Sequence, residues 1–98
     1  MMSLKSAPEV LVDLARMVRV QRLNRGWTQA EMARRAGLRL PTYIVFERSG
    51  RISLLRFLKL LDVLDLMADI GEIGRKMDQQ AVRLDDLMHE RKRGHRTS

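Results

Sequence analysis

Residues 39–51, RLPTYIVFERSGR, decide the fold of this chain. The centre of the stretch, Thr42 to Phe46, is β-branched and aromatic, which is the composition of a strand. Two features argue for a helix instead. Pro41 cannot donate to a central sheet ladder but suits the first turn of a helix. Tyr43, Phe46 and Glu47 stand three and four apart, so a helix places them on one face. A helix is therefore expected over Pro41–Arg48 against its own propensity, a weak preference that tertiary packing commonly overrides.

The flanking sequence is helical on both sides. Just upstream, Thr28-Gln29-Ala30-Glu31 reads as a capping box that opens a short helix with Met32, Ala33 and Ala36 on its apolar face. Gly37 stops that helix only two or so residues before the disputed stretch, and two short helices joined so tightly are the helix-turn-helix signature. Further upstream, Ser6-Ala7-Pro8-Glu9 is another capping box. Leu11, Leu14 and Val18 follow at helical spacing with Ala15 between them, up to a stop at Asn24-Arg25-Gly26.

Downstream, Ser49-Gly50 breaks the chain and Ser53 caps a strongly apolar helix. Leu54, Phe57, Leu58, Leu61 and Leu64 are expected to point one way, with Leu55 and Leu60 widening that face and Asp62 and Asp65 marking the end. A fifth helix is expected from Met67 to about Lys76 on Met67, Ile70, Ile73 and Met77, weakened by Gly71 and Gly74. After Asp78 the chain is polar, with one short amphipathic turn expected at Leu84, Leu87 and Met88. The basic run His89–Ser98 lacks apolar residues and is expected to be disordered when free. The organisation expected is a flexible N-terminus at 1–7, a helical domain at 8–77 and a polar, basic tail at 78–98.

Composition narrows the function. The 98 residues fit one small domain. Nineteen Lys and Arg against 12 Asp and Glu give a net charge of +7, which favours a polyanionic partner, most often nucleic acid. Cysteine is absent, so no disulfide framework or thiolate metal site can form. No apolar run reaches the length of a membrane span and residues 1–7 do not read as a signal peptide, so no membrane partner is expected and a cytoplasmic location is. Enzyme chemistry finds no support. His89 and His95 lack partners at metal-site spacing, no phosphate loop or nucleophile motif occurs, and the adjacent Asp85 and Asp86 would face apart on a helix. No cofactor or metal is expected.

Val18 to Leu66 resembles the Cro/C1-type (Xre family) helix-turn-helix domain. The residues that carry the resemblance are Arg22, Gly26-Trp27-Thr28-Gln29, Met32-Ala33, Ala36-Gly37-Leu38, Thr42, Phe46-Glu47-Arg48, Gly50, and Leu58, Leu61 and Leu64. The resemblance implies an all-α, lambda-repressor-like DNA-binding domain, a compact bundle of four or five helices. Its second helix would lie across the DNA backbone and its third would enter the major groove. The segment LPTYIVFERSGRISLLRFLKLLDVL and the basic tail also resemble HipB-like antitoxins, the helix-turn-helix proteins encoded beside HipA-type toxin kinases, which implies such a kinase as partner.

The resemblance assigns roles residue by residue. Gln29 would bond a DNA phosphate. Arg22 and Glu47 would form a structural pair tying the first helix to the third, although Arg22 can also touch a phosphate. Trp27 would hold the turn onto the first helix. The base-reading positions fall on Leu40, Pro41 and Val45, with Arg39 just before and Thr42 beside them. Leu40, Pro41 and Val45 carry no side-chain donor or acceptor, so they can touch thymine methyls but cannot make a bidentate contact to a purine. Arg39 also stands where the family usually has a Ser cap. Specificity would then rest on methyl contacts, on Arg39 and on DNA shape, with Arg48 and Arg51 clamping phosphates.

The function implied is that of a sequence-specific repressor of double-stranded DNA, a homodimer assembled through the chain after Leu60. It would regulate its own operon as the antitoxin of a HipA-type pair. The alternative is a protein-interaction module that keeps the fold and uses Leu40, Ile44 and Val45 as an apolar docking patch.

Overall fold

A computed structural model describes residues 5–91, with the side chains at 82–87 and 89–91 excepted. Residues 92–98 of the basic run, and the side chains of Leu84, Asp85, Asp86, Leu87 and His89, therefore lie outside the described residues. Five helices follow in order: α1 Ala7–Asn24, α2 Gln29–Ala36, α3 Leu40–Ser49, α4 Leu54–Val63 and α5 Met67–Arg91. No strand occurs among the described residues. The chain up to Leu66 forms one compact unit and the chain from Met67 a second. No described helix is long and apolar enough to cross a membrane.

The starts of the helices follow from single hydroxyl residues. Ser6 caps α1 by accepting from Glu9 N at 3.3 Å, and Glu9 Oε1 accepts in return from Ser6 N at 2.9 Å. Thr28 caps α2 through Glu31 N at 3.0 Å, and Ser53 caps α4 through Arg56 N at 3.2 Å. The second capping box is only half formed. Glu31 accepts from Arg34 and Arg35, one turn on, rather than from the Thr28 backbone, because two guanidinium groups outbid one amide for the carboxylate. The α3 N-cap, Arg39, makes no side-chain capping bond.

Three helix ends share one closure. After α1, α2 and α4 a residue takes the left-handed conformation, Gly26 at φ +71°, Gly37 at φ +69° and Asp65 at φ +64°. The next residue then donates its N–H five residues back: Trp27 to Arg22 O, Leu38 to Ala33 O and Leu66 to Leu61 O. Each of those residues also packs its side chain on the core, as the Schellman closure requires. Gly50 ends α3 at φ +81°, and a Cβ there would lie 2.8 Å from the carbonyl carbon and oxygen of Leu11. The end of α3 is thus seated directly on the α1 backbone.

The core of the first unit gathers Ala15 and Val18 of α1, Met32, Ala33 and Ala36 of α2, Tyr43 and Phe46 of α3, and Leu60 and Leu64 at the end of α4. Tyr43 and Phe46 are fully buried. Three residues apart, they share the inner face of a helix; in a strand they would point to opposite faces. Phe46 packs at 6.1 Å from Tyr43 and 6.0 Å from Phe57, ring to ring and tilted.

Two expectations need correcting. Leu54, expected on the inner face of α4, is 71% exposed, whereas Leu60 is fully buried. The buried stripe runs Phe57–Leu60–Leu61–Leu64, and the first turn of α4 projects past the core. There, Leu54 walls an open apolar groove of about 220 Å³ with Leu11, Leu14, Ile52 and Phe57. Helix α5 also runs past Lys76 to Arg91. After Gly74 the next glycine is Gly94, and the Gln, Ala, Arg, Leu, Met and Glu between them are strong helix formers whatever their polarity.

Candidate nucleic-acid interface

The carboxylate of Glu47 ties three helices together. Arg22 of α1 donates to it twice, Nε to Oε2 at 2.7 Å and Nη2 to Oε1 at 3.1 Å. Gln29, the first residue of α2, donates its amide Nε2 to Oε1 at 3.1 Å. Tyr43, one turn earlier on α3, donates its hydroxyl to Oε2. The remaining Arg22 donor Nη1 reaches Trp27 O at 2.8 Å and so holds the α1–α2 turn. The Arg22 and Glu47 side chains are 8% and 5% exposed. No buried side-chain polar atom among the described residues lacks a partner, which is the condition under which a buried ion pair is tolerated.

The electrostatics follow from this geometry. Burial pushes the Glu47 carboxyl upward, but the bonds from Arg22, Tyr43 and Gln29 and the Arg22 charge outweigh it, so it sits below its ordinary value. Burial and the bond to Glu47 push the Tyr43 phenol up, and the bond to Glu47 raises Arg22. At neutral pH the site holds a carboxylate, a neutral phenol and a guanidinium.

Because Tyr43 and Phe46 face inward, the other side of α3 faces out. Pro41, Val45 and Arg48, spaced four and three, are all exposed there, with Val45 37% exposed. Arg39 and Leu40 at the start of α3 and Arg51 just past its end are exposed as well, while Thr42 and Ile44 are half-buried. Ser49 Oγ donates to Val45 O at 2.7 Å and accepts from Arg51 N at 3.2 Å, which fixes the exit from α3. The candidates Arg39, Leu40, Pro41, Val45, Arg48 and Arg51 thus share one exposed helix and its flanks. Gln29 lies at the Glu47 junction, with one amide N–H engaged.

Sequence reasoning missed two groups. The spacing puts Tyr43 on one face with Phe46 and Glu47 but assigns its hydroxyl no role, although the four-residue step to Glu47 carried the signal. Arg19, on α1 one turn before Arg22, brings its Nε to 3.9 Å from Glu47 Oε1 with its side chain 59% exposed. Trp27 is half-buried against the core, as its family position implies, and carries the Arg35 guanidinium 4.2 Å from its ring centroid and that of Arg25 at 5.6 Å.

Comparison with known proteins agrees with this geometry. The helix-turn-helix family model matches residues 18–67, 50 of the 98 in the chain. A solved structure described as "MDT Protein" is similar over 67% of this chain and 89% of its own, with 30% identity and a TM-score of 0.53. No curated protein matches the chain. The match ends at Met67, one residue beyond the first compact unit, and spans the Glu47 junction and the exposed face of α3. The chain belongs to the Cro/C1-type (Xre) helix-turn-helix family of DNA-binding regulators.

Proposed function

We propose that the protein is a cytoplasmic, homodimeric repressor that binds a palindromic operator in its own promoter and acts by covering it. The observation that carries this reading is the locked geometry of α2 and α3. Glu47 fixes the two helices to each other, and the outward face of α3 presents Pro41 and Val45 between Arg39 on one side and Arg48 and Arg51 on the other. An apolar centre framed by arginines suits thymine methyls flanked by phosphates. Arg39, free of any capping duty, is the side chain best able to read a guanine. The HipB-like resemblance extends the proposal to a toxin kinase as partner and to the role of antitoxin. The basic tail would add salt-sensitive affinity through counterion release.

Fluorescence anisotropy on the duplex upstream of the gene, against a scrambled duplex of equal composition, tests the reading. A preference above about a thousandfold near physiological salt is expected. Equal and weak binding that vanishes as salt rises would overturn it. A second reading, a protein-docking module, is favoured by the exposure of Leu40 and Val45. Val45→Glu separates the two, since it abolishes partner capture under the second reading. Arg39→Ala and Gln29→Ala together abolish DNA binding under the first.

A further inference from the structure

The two oxygens of Glu47 share Arg22 and differ in their other partners. Oε2 takes Arg22 Nε and the Tyr43 hydroxyl, both from buried residues. Oε1 takes Arg22 Nη2 at 3.1 Å and is also approached by Gln29 Nε2 at 3.1 Å and by Arg19 Nε at 3.9 Å. Arg19 belongs to α1 and Gln29 to α2, yet both converge on one oxygen. The Arg19 contact exceeds hydrogen-bond length, so the guanidinium is steered by the carboxylate without spending a donor on it. The Gln29 amide spends one N–H and keeps a second. An exposed guanidinium and an amide N–H meeting at one point, above a carboxylate already neutralised by Arg22, make a small anion-binding fork. A guanidinium with an adjacent neutral donor matches two oxygens of a phosphodiester.

We propose that Arg19 and Gln29 jointly grip one backbone phosphate of the bound duplex, with Glu47, held in place by Tyr43, as the group that aims both. This rests on the DNA-binding reading above. Arg19 carries the charge and Gln29 the direction. Glu47 and Tyr43 are positioning residues that touch no DNA.

The test is anisotropy on one duplex across a salt series for wild type, Arg19→Gln, Arg19→Lys, Gln29→Ala and the Arg19→Gln/Gln29→Ala double variant, with thermal melts of each. Arg19→Gln should weaken binding about tenfold and flatten the slope of log affinity against log salt by about 0.9, the value for one lost phosphate contact. Arg19→Lys should keep most of the slope. Gln29→Ala, which removes no charge, should weaken binding with the slope unchanged. The double variant should lose less than the product of the two single losses, because one phosphate is shared. Melting temperatures of Arg19→Gln and Arg19→Lys should stay close to wild type, since Arg19 is exposed and no hydrogen bond depends on it, whereas Gln29→Ala and the double variant should melt lower, and by the same amount, through loss of the Gln29–Glu47 bond. A slope unchanged in Arg19→Gln overturns the proposal, and so does a slope change with fully independent single losses, because Arg19 would then act only through the overall field. If wild type itself shows no salt-dependent DNA binding, the DNA-binding reading falls first.

Discussion

Glu47 is a buried acid whose oxygens are claimed by Arg22, Gln29 and Tyr43 at once, so removing any one donor has a readable consequence. Tyr43→Phe deletes a single hydroxyl without changing the packing of the ring. A hydrogen bond to a charged acceptor contributes about 1.5–3 kcal/mol, so urea unfolding should show a loss of that size. The variant should also change the response to alkali. The folded-state phenol lies above its ordinary value of 10.0, so its stabilisation is complete below that value and is lost as pH rises towards the raised one. Between about pH 9 and about pH 11, wild type should lose more stability than Tyr43→Phe; parallel losses would mean the phenol is not held as the structure has it. At Gly50 the constraint is steric. A Cβ at φ +81° would meet the Leu11 backbone at 2.8 Å, and backbone has no rotamer with which to escape. Gly50→Ala should lower stability by about 2–3 kcal/mol, read as a fall of roughly 10 °C or more in Tm. The residues differ in how plainly the sequence shows them. Tyr43 and Glu47 announce their shared face by spacing alone. The Arg22–Glu47 pair rests on family resemblance, because nothing in a single chain links residues so far apart. Arg19 carried no signal, since its one acid partner among the described residues lies two helices away.

At the scale of elements, α3 shows why a strand-like composition can fold as a helix. Its β-branched and aromatic residues do not need helical propensity, because Tyr43 and Phe46 reach the core only at helical spacing and Pro41 and Gly50 set its two ends. That was legible, since punctuation and periodicity agreed. The inner face of α4 was less so: seven of its apolar residues fit more than one stripe, and only the position of α1 and α2 decides that Leu60 enters while Leu54 does not. The end of α5 was hidden by treating polarity as a sign of disorder when the residues were good helix formers. The Schellman closures supply a prediction here. Gly26 and Gly37 take the left-handed conformation freely, but Asp65 takes it at φ +64° with a Cβ, a conformation that asparagine and aspartate tolerate better than other residues yet still at some strain. Asp65→Gly should raise stability by about 0.5–1 kcal/mol and Asp65→Val should lower it by more, as measured by thermal melts. A neutral Asp65→Val would show that the end of α4 is not built this way.

For the whole molecule, the open question is how one small reading head becomes specific. A single α3 with an apolar centre discriminates weakly, and two copies on a two-fold axis square that discrimination, which is why the proposed function requires a dimer. The second unit supplies a candidate seam. Ile70, Ile73 and Met77 stand three and four apart on α5, the spacing of a two-helix seam, and Ile73 and Met77 are 54% and 63% exposed. If two chains pair there, unfolding yields two molecules from one and mass action stabilises the dimer as concentration rises. A hundredfold increase adds about 2.7 kcal/mol per dimer, which for a particle of this size should raise Tm by roughly 5–10 °C. Met77→Glu would place two like charges in the seam and abolish that dependence, while the core of the first unit, whose buried residues all precede Met67, still melts cooperatively. The same variant should retain weak binding to a half-site and lose the preference for the full palindrome. A wild-type Tm independent of concentration, together with a monomeric mass in sedimentation, would remove the seam from α5 and leave the operator to be read by one head at a time.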